Sequence, residues 1–265
     1  MTSFVVERNG RLSTVAELVP LAFAGYAHFT AMQVRGGQVR GLDLHLERLR
    51  SASVELFGHA LPDEKIRSYL RAAIEAGPAD LSLTATVYSR EGEFTAAEGA
   101  LEILVRTGRA TSGPQGPLAL STVEYERVLP GIKHVGEVAK TYYLRQAVAQ
   151  GFDDAAFVDR AGRLSEATIW NLVFWDGTEV VWPAADMLDG ITMKVIRRRL
   201  DQLDVAQRTQ EVTVADLPAL AGAAVMNSWN PGIPVNRIDS VALPAAPALV
   251  DLLHRAYACE PLTSP

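Results

Sequence analysis

No single residue of this 265-residue chain announces a chemistry by itself. The five histidines, His28, His45, His59, His134 and His254, are scattered and lack metal-ligand spacing. The sequence has no glycine-rich phosphate loop, no HExxH and no GxSxG. The informative feature is an ordered series of short segments. These are His45-Leu-Glu-Arg48-Leu49, Gly131-Ile-Lys133-His134, Gly151-Phe-Asp-Asp-Ala155, Leu164-Ser-Glu166-Ala-Thr168, Asn171-Leu-Val-Phe174 and Gly190-Ile-Thr192. Together they hold an amine, a carboxylate, a guanidinium and a glycine-opened helix start. Taken alone, each has a plain structural reading. Lys133 is then a loop lysine, Glu166 a glutamate after a turn and Arg48 a solvated arginine on a helix face.

In order and spacing the segments resemble the class IV aminotransferases, the fold-type IV enzymes that use pyridoxal 5'-phosphate. That family includes branched-chain and D-amino acid aminotransferases, (R)-selective amine transaminases and aminodeoxychorismate lyases. The resemblance runs from about Asn9 to Asp239. It implies that Lys133 holds the cofactor as a Schiff base and moves protons. Lys133 stands eighteen residues before Gly151, as the family's lysine does before its corresponding segment. Lys140, in Lys140-Thr-Tyr-Tyr143, imitates a family pattern but breaks that spacing. The resemblance implies Glu166 as the carboxylate that keeps the pyridine nitrogen protonated. It implies Arg48 as a phosphate ligand, with Ile191 and Thr192 offering backbone N–H groups at a helix start. Ser228, in the loop Asn227 to Pro234, is a further phosphate-side candidate. No metal is implied.

Two departures bear on activity. Many members carry Asn-Tyr after the lysine, where this chain has Gly136-Glu137, so the tyrosine that holds the cofactor's phenolic oxygen is absent. The early Phe-Glu of many transaminases reads Phe29-Thr30. Phe29-Thr30, Lys133-His134 and Asn227-Ser228 lean towards aminodeoxychorismate lyase. Transamination, from an amino acid or amine to a 2-oxo acid, is the leading expectation. The lyase reaction, releasing pyruvate and 4-aminobenzoate, is the alternative. A cofactor-binding protein without catalysis is a third reading, opposed by the retained lysine and glutamate. For a carboxylate substrate, Tyr26, Tyr88, Arg90 and Arg106 come from segments that face the cofactor in similar enzymes. Each could equally be a surface residue at a strand end.

The elements that must position these residues follow from periodicity. Leu42, Leu46, Leu49, Ala52 and Leu56 mark an amphipathic helix stopped by Gly58, and Ile66, Tyr69, Leu70, Ala73 and Ile74 mark a second. Strands are expected at Phe4–Val6, Phe29–Val34, Leu81–Val87 and Leu101–Val105. Gly108–Pro117 has the composition of a linker. Beyond it, helices are expected at Val138–Gln150, Thr192–Leu203 and Leu249–Ala256. Strands are expected at Asp154–Val158, Asn171–Trp175, Glu179–Trp182 and Ala223–Met226. This predicts an α/β (α+β) protein of two domains, an N-terminal α/β domain at 1–107 and a cofactor-binding domain at 121–265, joined by 108–120. The resemblance implies a pseudo-barrel for the second, a cofactor between the two and a homodimer.

Composition excludes other classes. Lys plus Arg is 25 and Asp plus Glu is 31, a net charge of −6, which argues against a nucleic-acid partner. One cysteine, Cys259, excludes an intramolecular disulfide. Met1–Arg11 lacks the apolar run of a signal peptide, and Val15–Met32 is broken by Glu17, Pro20 and His28. A cytoplasmic protein with small-molecule partners is expected.

Overall fold

The computed structural model describes residues 4–23, 25–92, 94–96 and 99–265, so the first three residues of the Met1–Arg11 segment lie outside the described residues. The chain divides into two compact units. One comprises Met1–Thr111, Ile132–Gly136 and Pro261–Pro265, and the other Ser112–Gly131 and Glu137–Glu260.

The first unit begins with strands β1 (Val6–Arg8) and β2 (Arg11–Leu12), then helix α1 (Val15–Phe23). Next come β3 (Ala27–Val34), β4 (Val39–Arg40), α2 (Leu42–Phe57), α3 (Asp63–Glu75), β5 (Leu81–Ser89) and β6 (Leu101–Arg109). The main sheet runs β2-β1-β6-β5-β3. Alternation in β5 turns Leu81, Leu83, Ala85 and Val87 to one face. There they meet Leu42, Leu46 and Leu49 of α2 and Ile66, Leu70, Ala73 and Ile74 of α3. The helix periodicities therefore bury the faces expected. Gly58 ends α2 at φ 76°, with its N–H returning to the Val54 carbonyl. The first strand lies two residues later than Phe4–Val6, because its ladder to β6 starts at Val6. Val15–Met32 yields a nine-residue helix containing Pro20, followed by β3.

The second unit begins with β7 (Leu118–Glu124) and α4 (Val138–Ala149). It continues through β8 (Asp154–Val158), β9 (Leu164–Ala167), β10 (Asn171–Trp175) and β11 (Val180–Pro183). Then follow α5 (Ile191–Gln202), β12 (Gln207–Gln210), a short 3-10 turn at Val214–Ala219, β13 (Gly222–Met226), β14 (Ile233–Ile238), β15 (Val241–Ala242) and α6 (Pro247–Ala258). The strand order β10-β13-β14-β7-β8-β9 closes on itself, because Asn171 of β10 also pairs with Glu166 of β9. Six strands thus form the barrel that the resemblance implied. β10 explains its own composition. Leu172 and Phe174 pack with the cluster that includes Leu120, Val225 and Val235, whereas Val173 joins Met193 of α5 and Leu253 of α6. A strand buried on both faces reads as a continuous apolar run. The last strand, β16 (Leu262–Thr263), belongs to the first unit and pairs with β4.

Candidate active site

In the first unit, Lys133 sits on a short segment laid along the free edge of β3. The Phe29 N–H donates to the Lys133 carbonyl at 2.8 Å and the Val135 N–H to the Ala27 carbonyl at 3.0 Å. The Lys133 Nζ lies 4.8 Å from the centroid of the Phe29 ring. β3 is itself fixed by two buried polar pairs. The His28 Nε2 meets the Ser53 Oγ at 2.9 Å, and the Thr30 Oγ1 meets the His45 Nδ1 at 2.6 Å. Burial lowers His28 to about 4; burial, then the Arg48 charge, lowers His45 to about 3. Both rings are neutral at pH 7, so β3 and α2 are joined by uncharged hydrogen bonds. Arg48 lies one turn beyond His45 on α2 and is half-buried.

The substrate candidates divide. Ala27 pairs with Tyr88 across the sheet, which brings Tyr26, Tyr88 and Arg90 to the sheet end that carries the Lys133 segment. The Tyr26 hydroxyl donates to the Leu56 carbonyl at 2.8 Å. Tyr88 is fully buried and donates to the Glu102 Oε2 at 2.9 Å; burial and that carboxylate push its phenol up. Glu102 also meets Arg8 at 3.3 Å and Arg90 at 3.5 Å, so Tyr88 and Arg90 share one carboxylate. Arg106 is exposed and pairs with Thr84, four residues along β5 from Tyr88. It is not brought to that sheet end.

In the second unit, Glu166 is 3% exposed on β9, at the pairing that closes the barrel. The Arg127 Nη1 lies 3.3 Å from its Oε1. Arg127 also forms a closer ion pair with Glu137, which occupies the N-cap position of α4 without a capping side-chain hydrogen bond. The Lys140 Nζ, in the first turn of α4, is 3.1 Å from Glu137 and 3.8 Å from Glu166. Sequence reasoning missed Arg127 as a partner of Glu166, and Glu137 as the carboxylate that shares its cations. Their approach depends on the pairing of β7 with β8 and of β8 with β9, and no local pattern signals it. Asp154 anchors the turn after β9 by accepting from the Thr168 hydroxyl at 2.6 Å and the Trp170 indole N–H at 2.9 Å. Burial outweighs these bonds and raises its carboxyl.

The start of α5 is held by the residue that pairs with Glu166. The Asn171 Nδ2 donates to the Leu188 carbonyl at 2.7 Å. A Cβ on Gly190 would lie 2.0 Å from the Asn171 Oδ1, so only glycine fits there. Ile191 and Thr192 are buried in the first helical turn, where N–H groups lack intrahelical partners. The Thr192 hydroxyl donates to the Asn227 carbonyl at 2.8 Å, which brings Thr192 to the loop carrying Ser228. Among the described residues, no group of three His, Cys, Asp or Glu could hold a metal ion, and no helix is long and apolar enough to cross a membrane.

Comparison with known proteins agrees with this architecture. The probable branched-chain-amino-acid aminotransferase of Rickettsia typhi is 30% identical over 120 residues, which are 43% of this chain and 41% of that protein. The branched-chain aminotransferase of the thermophilic archaeon Thermoproteus uzoniensis, solved with norvaline, superposes with a TM-score of 0.82 at 18% identity, over 98% of this chain and 99% of that one. A putative 4-amino-4-deoxychorismate lyase from Legionella pneumophila gives 0.79 at 18% identity, over 91% and 93%. Residues 27–238 match the model of the amino-transferase class IV family, and the chain belongs to that family.

Proposed function

We propose that the protein is a pyridoxal 5'-phosphate-dependent aminotransferase that moves an amino group from an amino acid or amine to a 2-oxo acid. The observation that carries this reading is Glu166, a carboxylate buried on the barrel-closing strand with Arg127 and Lys140 beside it. Burying a carboxylate costs free energy unless it is partnered, and such an acid suits a protonated ring nitrogen. The donor set fits the cofactor: an amine at Lys133, an acid at Glu166, a guanidinium at Arg48, and buried N–H groups and a hydroxyl at Ile191, Thr192 and Ser228. When bound, the cofactor supplies an electron sink for the pair left at the substrate Cα. Lys133 would hold the cofactor through its Nζ and would move the proton at the substrate Cα. Glu166 would accept the ring N–H, and Arg48 and the N–H groups at the α5 start would be the phosphate's donors. The reading includes a homodimer, small-molecule partners and a cytoplasmic location.

Thr30 supports the lyase as the second reading. Its hydroxyl is tied to His45, so this position offers the substrate no carboxylate of the Phe-Glu kind. The test is spectroscopic. An amino donor added without acceptor should bleach the visible band of the loaded protein, and 2-oxoglutarate or pyruvate should restore it. If no donor bleaches the band, and aminodeoxychorismate yields pyruvate without an acceptor, the lyase reading replaces the transaminase.

A further inference from the structure

The second unit buries two carboxylates side by side, and the reading above uses only one. Glu137 has a 10% exposed side chain and Glu166 a 4% exposed one. Each touches both cations. Arg127 is closer to Glu137 than to Glu166, and so is Lys140, at 3.1 Å against 3.8 Å. A single carboxylate would satisfy Arg127 with a bidentate pair. A second one, set where both cations approach it first, offsets their field at Glu166. That matters because Glu166 must remain ionised and still attract a proton on another group. Two cations unopposed would keep it ionised but would repel a protonated ring nitrogen. Glu137 is also placed to tolerate its charge, since it stands at the N-terminal, positive end of α4.

We propose that Glu137 is a positioning residue that sets how strongly Glu166 holds a protonated ring nitrogen, with Lys140 as its opposing weight. The proposal rests on the reading of Glu166 as the ring-nitrogen partner. In its unit Glu166 meets Arg127 before α4, Lys140 on α4, Asn171 on β10 and, at longer range, Tyr125 after β7, while Glu137 at the start of α4 shares both cations. The Tyr125 phenol is raised by burial and then by Glu137, so it stays neutral and does not upset the balance. A merely structural role predicts that any change in the cluster loosens it in the same way. The balance predicts opposite signs. Removing the negative charge at Glu137 lowers the proton affinity of both Glu166 and the ring nitrogen. Removing the positive charge at Lys140 raises both.

The test begins with the cofactor-free protein carrying 13C-labelled glutamate carboxyls, the Glu166 signal being assigned by its loss in E166Q. E137Q should move the Glu166 midpoint down by about one pH unit, K140M should move it up by about as much, and the double variant should return it towards the parent. Loaded with 15N-labelled cofactor, the ring-nitrogen shift should follow the same order. Shifts of the same sign in both variants overturn the proposal, as do no shifts, or a ring nitrogen that ignores opposed shifts at Glu166. If E137Q fails to fold, K140M decides alone, and an unchanged or lowered midpoint overturns the proposal. The cofactor-free titration is independent of the enzymatic reading, so a loss of that reading in a labelling experiment is distinguishable from a loss of the balance.

Discussion

The region around β3 and the region around β9 bury polar side chains by opposite means. Beside Lys133, the pairs His28–Ser53 and Thr30–His45 are neutral. Beside Glu166, the contacts are ionic: Arg127, Glu137 and Lys140. Neutral hydrogen bonds fix a backbone without adding a field, each contributing roughly 1 kcal/mol. A buried ionic cluster contributes little certain stability but gives its members a strong mutual influence. The difference teaches what each region is for. β3 gives the lysine segment a rigid edge, held from α2 by the neutral pairs His28–Ser53 and Thr30–His45. β9 presents a charge that its neighbours tune.

The largest expected effect comes from neutralising the charged region. Glu166→Gln keeps the size of the side chain and removes the charge, and should cut turnover by about a thousandfold while leaving donor binding nearly unchanged. Steady-state kinetics with one donor checks this. A fall confined to KM would show that Glu166 acts in binding, and the contrast between the regions would lose its functional meaning.

A smaller effect is expected from the neutral region, and it appears in stability. His28 titrates at about 4 in the folded chain against about 6.5 unfolded. Its folded-state value is lowered, so its stabilisation is complete above pH 6.5 and is lost as pH falls from 6.5 towards 4. The full loss is about 3 kcal/mol. Urea unfolding at pH 7 and pH 4.5 should show the decline, and His28→Asn should reduce it by about half, since His45, lowered to about 3, supplies the rest. An equal decline in the variant would show that other groups control the acid arm, and that the β3 pairs are not the neutral brace described.

Much of the fold was legible because burial imposes period on the chain. The stripes of α2 and α3, the alternation of β5 and the apolar runs of β8, β10 and β13 each follow from a buried face. Three barrel strands were not legible. β7 follows a run of glycine and proline, and β9 is only four residues, Leu164–Ala167, two of them polar. β14 contains Pro234, which cannot donate to a ladder and so argues against a strand, although Ala224 pairs with it. For the site, spacing singled out Lys133, Glu166, Gly190 and Thr192 as candidates. Arg127 and Glu137 were not singled out, because the pairing of β7, β8 and β9 gathers them near Glu166 from separate segments. Tyr88 shows the converse. Its type and place suggested substrate, whereas its hydroxyl is bound to Glu102 in the core.

The central claim is that Lys133, and not its neighbour on α4, is the amine that bonds the cofactor. Protein loaded with pyridoxal phosphate, reduced with borohydride, digested and mapped by mass spectrometry tests this directly. The account predicts the cofactor fixed to the Lys133 peptide, and no labelled peptide from Lys133→Ala. A label on Lys140 or Lys194 in the parent protein would contradict it.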